Sequence, residues 1–173
     1  MLTRDAAALV VIDVQEAFRG YGVFAEVAAG CATLVAAAGT LEVPAIVTEQ
    51  YPRGLGRSVP ELGLPEDVQV VEKSVFSAAR AEGFSLGGRP QAVLCGIEAH
   101  VCVAQTALDL LEQEVEVFVA VDATGSRFAR DGEVALHRLE AAGAVLTTVE
   151  AVLFELLERA GTPEFKTVQG LVT

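Results

Sequence analysis

The chain has 173 residues, of which 52% belong to the hydrophobic class, and it carries a net charge of −12. This length fits one domain and allows roughly 70% of the unfolded surface to be buried, so we expect a single globular domain over residues 1–173. The 24 Asp and Glu residues against 12 Lys and Arg residues disfavour contact with phosphate backbones and anionic membrane surfaces, so we expect neither nucleic-acid nor membrane partners.

The first residues of the chain indicate its cellular location, and its cysteines indicate whether it holds disulfides or zinc. Residues 1–5 lack the basic and apolar segments of a secretory signal, and the apolar runs are short for a membrane span, which predicts a cytoplasmic protein. The three cysteines, Cys31, Cys95 and Cys102, are odd in number and match no zinc spacing, and there are only two histidines. We therefore expect neither a disulfide framework nor a structural zinc site.

Strand and helix patterns alternate along the whole chain. The predicted strands cover residues 8–14, 44–48, 68–72, 91–97, 115–121 and 144–149, and the predicted helices cover 24–39, 101–113, 131–142 and 151–160. Residues 51–66 are rich in Pro and Gly and are predicted to form a long ordered loop. This alternation is typical of a parallel sheet covered by helices on both faces.

Three reactive side chains follow predicted strands. Asp13 ends the first strand, Lys73 follows the third, and Cys102 follows the fourth after a short loop. Ligand sites of parallel α/β sheets lie at the carboxyl ends of the strands. The three side chains are therefore expected at one edge of the sheet.

These three residue types could together perform nucleophilic catalysis. Cys102 lies near a predicted helix start, whose positive end favours a thiolate, and a nearby Lys73 would favour it further. The Asp13 carboxylate could accept the thiol proton and return it to a leaving group. Taken singly, each residue has a simpler explanation: a buried cysteine such as Cys31 or Cys95 is usually a small apolar side chain, a strand-end Asp often anchors a loop, and a Lys is usually solvated. Their coincidence at one edge favours catalysis.

Two other patterns near Cys102 do not indicate a catalytic dyad or a cofactor site. His100 precedes it by two residues, but a loop histidine bonded to backbone is favoured over a Cys–His dyad. The segment GIEAH at residues 96–100 lacks the Gly-Lys-Ser/Thr ending of a phosphate loop and the repeated glycines of a dinucleotide fingerprint. No nucleotide cofactor is therefore expected.

Three segments resemble those of the isochorismatase-like cysteine hydrolase family. They are VIDVQ at residues 11–15 with Phe18, EKSVFSA at 72–78, and CGIEAHVCV at 95–103. Residues 48–56, 107–112, 122–124 and 142–148 are most similar to the subgroup of isochorismatase domain-containing proteins. The resemblance extends over nearly the whole chain.

The resemblance implies a three-layer α/β/α fold with a six-stranded, mainly parallel sheet of order 3-2-1-4-5-6. It also implies amide hydrolysis through a thioester, with Asp13 as base, Lys73 stabilising charge and Cys102 attacking. It further implies a cis peptide between Ile97 and Glu98, and an oxyanion hole made by the backbone N–H groups of Glu98 and Cys102. The predicted substrate-binding residues, some of them on the loop at 50–65, are Gln15, Phe18, Gln50, Tyr51 and Phe76.

Two departures from the family pattern narrow the function. Nicotinamidases of the family carry an Asp-x-His metal cluster after the second strand, whereas TEQYP at residues 48–52 has no histidine, so we expect no metal and no cofactor. True isochorismatases lack the nucleophilic cysteine, whereas Cys102 is present. We therefore predict a cysteine-dependent hydrolase of a small amide or carbamoyl compound. A binding or scaffold protein with little turnover and a redox-active thiol at Cys102 remain alternatives.

The partners expected are a small-molecule substrate and further copies of the same chain. Hydrolases of this family commonly associate, and the tail at residues 163–172 is apolar for a free end, with Phe165, Val168, Leu171 and Val172. We therefore expect a homo-oligomer, at least a dimer. The alternative is that the tail packs on its own domain.

Overall fold

The apolar run near the start of the chain lies at the centre of a parallel sheet. In the computed structural model, which describes residues 1–173, every residue of strand β1 is buried, because the strand is covered on both faces. The strands are β1 (Ala7–Ile12), β2 (Ala45–Gln50), β3 (Gln69–Lys73), β4 (Gln91–Ile97), β5 (Glu116–Gly125) and β6 (Val145–Thr147). Their order is β3-β2-β1-β4-β5-β6 and all pairs are parallel. The predicted fold class and strand order are confirmed.

Helices cover the two faces of the sheet unequally. They are α1 (Phe24–Leu41), α2 (Pro52–Leu55), α3 (Ala104–Glu112), α4 (Ala129–Ala141), α5 (Val149–Leu157) and α6 (Phe165–Gln169). The larger core, of 30 buried residues, lies under α1 and α5, and the smaller core, of 16, lies under α3 and α4. Cys102 belongs to the smaller core, so the candidate site lies on that face.

Helix α1 is apolar for a reason visible in its packing. Its 18 residues have a mean hydropathy of 1.6, enough by length and composition to cross a membrane, which differs from the expectation that the apolar runs are short for a span. Half of the helix is buried inside the protein. It runs so close to β5 that a Cβ at Gly30 would lie 2.8 Å from the Ala123 Cβ. The small apolar residues of α1 are therefore explained by its packing as a core helix.

Several boundaries differ from the predicted ones. The loop at 51–66 contains α2 and a 3₁₀ turn at Pro60–Leu62. Strand β5 continues past residue 121, where the predicted strand ended, to Gly125. Within this extension the Asp122 side chain is exposed and its Oδ1 accepts a hydrogen bond from the Val149 N–H at 2.8 Å. The predicted helix at 101–113 begins as a π-helical turn, Ala99–Val103, before α3.

The C-terminal tail packs on its own chain. Val168 on α6 is fully buried, and Phe165, Leu171 and Val172 pack against the larger core. The apolar tail is thus explained without a partner. The tail-based argument for an oligomer was wrong, because these side chains already have apolar contacts within the chain.

Candidate active site

Asp13 anchors the site from the end of β1. Its backbone φ of 53° lies in the left-handed region, which Asp adopts more readily than most residues. The carboxylate is fully buried and accepts two short hydrogen bonds, from Thr48 Oγ1 to Oδ1 at 2.6 Å and from Lys73 Nζ to Oδ2 at 2.7 Å. Both oxygens of the buried charge are therefore satisfied.

Lys73 is the last residue of β3 and is paired in register with Gln50 on β2. Its Nζ donates to Asp13 Oδ2 and to Gln50 Oε1, both at 2.7 Å, and to the Phe76 carbonyl at 3.1 Å. An ammonium group has three N–H donors, so all of them are engaged. The structure thus brings two of the three predicted catalytic side chains into direct contact.

Cys102 lies in the π-helical turn, 6% exposed, with its Sγ 4.0 Å from Gln50 Oε1. Burial raises the pKa of the Cys102 thiol to about 12; the negative charge of Asp13 also raises it, whereas the positive charge of Lys73 lowers it. This direction is opposite to the expectation that the helix start and the lysine would favour a thiolate, because desolvation outweighs the lysine charge. The thiol is therefore protonated at neutral pH and needs a base.

The turn between β4 and Cys102 holds a backbone donor. The Ile97–Glu98 peptide is cis, and the Glu98 N–H makes no hydrogen bond within the protein. The Glu98 side chain is occupied elsewhere, since its Oε1 accepts from the Arg127 N–H at 3.0 Å. Gly96 has a φ of 122°, and a Cβ there would lie 2.0 Å from the Ile12 carbonyl oxygen. Only glycine therefore lets β4 approach β1 this closely before the turn.

His100 is held away from any role as a partner of Cys102. Its Nδ1 lies 2.9 Å from Ser126 Oγ, and its Nε2 lies 3.9 Å from Asp131 Oδ2. The expected bond to backbone is replaced by one to a side chain. This histidine connects the turn before α3 to the start of α4.

The predicted lining residues occupy different places. Gln15 is fully buried, and its amide holds the backbone of Gln50 and the Gly56 carbonyl. Phe18 packs against the larger core beside Tyr21. Gln15 thus supports the backbone around the site, whereas Phe18 is partly buried at the edge of the larger core.

The other three predicted lining residues lie closer to the site. Gln50 contacts Lys73, whereas Tyr51 and Phe76 are 58% and 52% exposed. A cleft of about 230 Å³ opens beside Lys73; its lining residues are Tyr51, Pro52, Arg53, Glu72, Lys73 and Ser74. Neither Asp13 nor Cys102 lines this cleft and the Lys73 side chain is 0% exposed, so the cleft adjoins the end of β3 without opening onto the ion pair.

Two threonines were missed by the sequence reasoning. Thr48 bonds Asp13, and Thr106 Oγ1 accepts from the Ala78 N–H at 2.8 Å while donating to the Cys102 carbonyl at 2.7 Å. Alternation along β2 puts Thr48 on the same face as Gln50, and the four-residue spacing puts Thr106 one turn after Cys102. No group of three His, Cys, Asp or Glu side chains is placed to hold a metal ion.

A parallel α/β/α sheet with a buried Asp–Lys pair beside a cysteine at its carboxyl edge defines the class of this protein, and a family model confirms it. The isochorismatase domain model matches residues 7–151, and the chain belongs to the isochorismatase family. The fold of this family supports a hydrolase-type function.

Relatives and solved structures agree with this assignment. The chain is 44% identical over 167 residues to isochorismatase domain-containing protein 2 of Bos taurus, covering 95% of this chain and 81% of the relative. Among solved structures, it is similar to the MAR1 ribonuclease of Caenorhabditis elegans, with a TM-score of 0.92 and 41% identity over 99% of this chain and 91% of the other.

Two YcaC structures are more distant. YcaC from Pseudomonas aeruginosa, solved with hexane-2,5-diol and covalent acrylamide, has a TM-score of 0.87 and 27% identity over 98% of this chain and 90% of the other. YcaC from Escherichia coli, described as an octameric hydrolase of unknown specificity, has a TM-score of 0.84 and 28% identity over 91% and 82%.

Proposed function

We propose that the chain hydrolyses a small amide or carbamoyl compound through a thioester on Cys102. The observation that carries this proposal is the buried Asp13–Lys73 pair next to the thiol. A protonated, buried thiol requires an adjacent base, and Asp13 is the anionic group whose charge acts on it.

The proposed reaction has two halves. Asp13 takes the thiol proton as Sγ attacks the carbonyl carbon, and the resulting oxyanion binds the backbone N–H groups of Glu98 and Cys102. The C–N bond then breaks, and Asp13 returns the proton to the leaving nitrogen. In the second half, Asp13 removes a proton from water, which attacks the thioester, and the departing Sγ takes this proton back.

A relative supports a reactive nucleophile in this fold. YcaC from Pseudomonas aeruginosa holds acrylamide covalently. The redox alternative for Cys102 is disfavoured, because a raised thiol pKa lowers the thiolate fraction on which oxidation depends.

A second candidate function comes from the name of the MAR1 ribonuclease. Two features favour the amide over RNA as substrate. The net charge of −12 opposes a polyanion, and all three donors of Lys73 are engaged inside the protein. The protein is therefore expected to leave RNA uncleaved.

The test is a panel of small amides, carbamoyl compounds and a short RNA, assayed with wild type, Cys102→Ala and Cys31→Ala. We expect wild type and Cys31→Ala to release ammonia or amine from at least one compound and Cys102→Ala to release none. Intact-mass spectrometry during turnover should show an acyl adduct on Cys102. RNA cleavage, or amide turnover that survives Cys102→Ala, would refute the proposal.

We also propose that the chain forms a homo-oligomer. Support comes from the octameric Escherichia coli relative and from two apolar side chains, Phe128 and Val134, that are 62% and 61% exposed near and on α4. Light scattering after size exclusion should give a mass well above the 18.1 kDa of one chain. A mass near 18.1 kDa at micromolar concentration would refute it.

A further inference from the structure

The Gln50 amide is fixed in one orientation. Its Nε2 donates to the Ser74 carbonyl at 3.0 Å, which leaves Oε1 as the end that faces Lys73. Its backbone is held on both sides by Gln15, which accepts from the Gln50 N–H at 2.8 Å and donates to the Gln50 carbonyl at 3.0 Å. The orientation of the Gln50 side chain is therefore set by bonds to Ser74 and Lys73 inside the protein.

Lys73 has no spare donor for a thiolate. Its three N–H groups go to Asp13, to Gln50 Oε1 and to the Phe76 carbonyl. A negative charge on Cys102 Sγ would be stabilised by a direct N–H donor, so one of these bonds would have to open. Gln50 Oε1 is a neutral acceptor that lies 4.0 Å from Sγ, so the N–H that it accepts from Lys73 at 2.7 Å is the one already held beside the sulfur.

We propose that Gln50 is a positioning residue that holds one N–H of Lys73 beside the Cys102 sulfur and releases it when the thiolate forms. The thiol proton passes to Asp13, the Lys73 N–H turns from Gln50 Oε1 to Sγ, and no covalent bond changes at Gln50. This inference rests on the proposed function, in which the thiolate of Cys102 is the working form of the sulfur.

The proposal predicts that two substitutions at Gln50 change the thiolate fraction of Cys102 in opposite directions. Gln50→Glu keeps the shape of the side chain but makes the acceptor anionic, so it binds the Lys73 N–H more tightly and adds a negative charge beside the sulfur. Gln50→Met keeps a similar length and has only a weak sulfur acceptor, so the Lys73 N–H is free to turn to the thiolate. Gln50→Glu is therefore expected to disfavour the thiolate of Cys102, and Gln50→Met is expected to favour it.

The experiment measures alkylation of Cys102 by iodoacetamide at pH 8, with peptide mass spectrometry to separate the three cysteines. We expect Gln50→Glu to be about tenfold slower than wild type, the equivalent of one pKa unit, and Gln50→Met to be about threefold faster. Gln69→Met, at the exposed start of β3, is the matched control and should leave the rate unchanged.

The proposal would be overturned if the alkylation rate of Cys102 changed in the same direction in both variants, or changed in neither. A merely structural role for Gln50 would not give changes of opposite sign. Cys31 and Cys95, both fully buried, report folding, since they label only when the protein opens. If labelling of Cys31 and Cys95 shows that Gln50→Met is unfolded, the test rests on Gln50→Glu. An unchanged or faster alkylation of Cys102 in Gln50→Glu would then overturn the proposal by itself. The assay uses no substrate, so a failure of the proposed function in the amide panel is seen separately.

Discussion

Lys73 Nζ lies 2.7 Å from Asp13 Oδ2, and the two side chains are 0% and 1% exposed. Burying two charges is costly, and the cost is offset only when each charge has good geometry and further hydrogen bonds. Here Thr48 satisfies the second carboxylate oxygen, and Gln50 and Phe76 satisfy the remaining ammonium protons. The pair is therefore a rigid unit in which neither charge tolerates the loss of the other.

The first prediction concerns that dependence. Lys73→Met should lower the free energy of unfolding by about 3–5 kcal/mol, because it leaves the Asp13 carboxylate buried without a counter-charge. The double variant Asp13→Asn, Lys73→Met should lose less than the sum of the two single losses. Urea denaturation at pH 7 measures both. Arg80→Met is the control, since Arg80 is 69% exposed in its pair with Asp109, and it should cost about 1 kcal/mol or less. A loss of that same size in Lys73→Met would contradict the prediction.

The second prediction concerns the reactivity of the thiol. Because the pKa of Cys102 is raised to about 12, its alkylation rate should rise about tenfold per pH unit from pH 7 to pH 10 without a plateau. It should exceed the rates of Cys31 and Cys95, which are fully buried; burial also raises the pKa of Cys31 well above its usual value. Alkylation followed by peptide mass spectrometry measures this, and a plateau at or below pH 8 would show that the thiolate already dominates.

The third prediction concerns stability at alkaline pH. The unfolded Cys102 thiol ionises near its ordinary pKa of about 8.5, whereas the folded thiol stays neutral until about pH 12. Its contribution to stability is therefore complete below the unfolded pKa and is lost as pH rises toward the folded one. Relative to Cys102→Ser, wild type should lose about 1.4 kcal/mol per pH unit above pH 9. Urea denaturation at pH 7, 9 and 10 measures the difference, and parallel curves would argue against a raised pKa.

The fourth prediction concerns the C-terminal tail. Val168→Ala should cost about 2 kcal/mol, because the side chain is fully buried in the larger core. Truncation after Gly161 should abolish cooperative unfolding, since it removes all of α6. Thr167→Ala, at an exposed neighbouring position, should stay within about 0.5 kcal/mol of wild type. A truncated chain that unfolds like wild type would show that the tail does not close the core.

The fifth prediction concerns metals. Residues 48–52 contain no histidine, so turnover of any compound found in the amide panel should survive exhaustive chelation. Ammonia or amine release before and after dialysis against a chelator is the measurement. Activity that disappears and returns with added zinc or manganese would show that the protein uses a metal.

The sequence alone determined the layers and the edge at which the reactive residues meet. Buried parallel strands require continuous apolar runs, and the runs at β1, β4 and β5 are long enough to be identified without a structure. The rule that parallel strands present their carboxyl ends at one edge then brings Asp13, Lys73 and Cys102 together, although they are far apart along the chain. The hydrophobic pattern of each strand is encoded at short range and was therefore predictable, whereas the strand order came from the resemblance to a known family.

Only the tertiary structure decided the state of the thiol and the work of the glutamines. The pKa of Cys102 depends on how much water the surrounding elements exclude, and burial raises it against the charge of Lys73. Gln15 and Gln50 have the same side chain, yet one holds backbone and the other contacts Lys73. Desolvation and hydrogen-bond partners depend on elements that are distant in sequence, so they cannot be predicted from the spacing of residues along the chain.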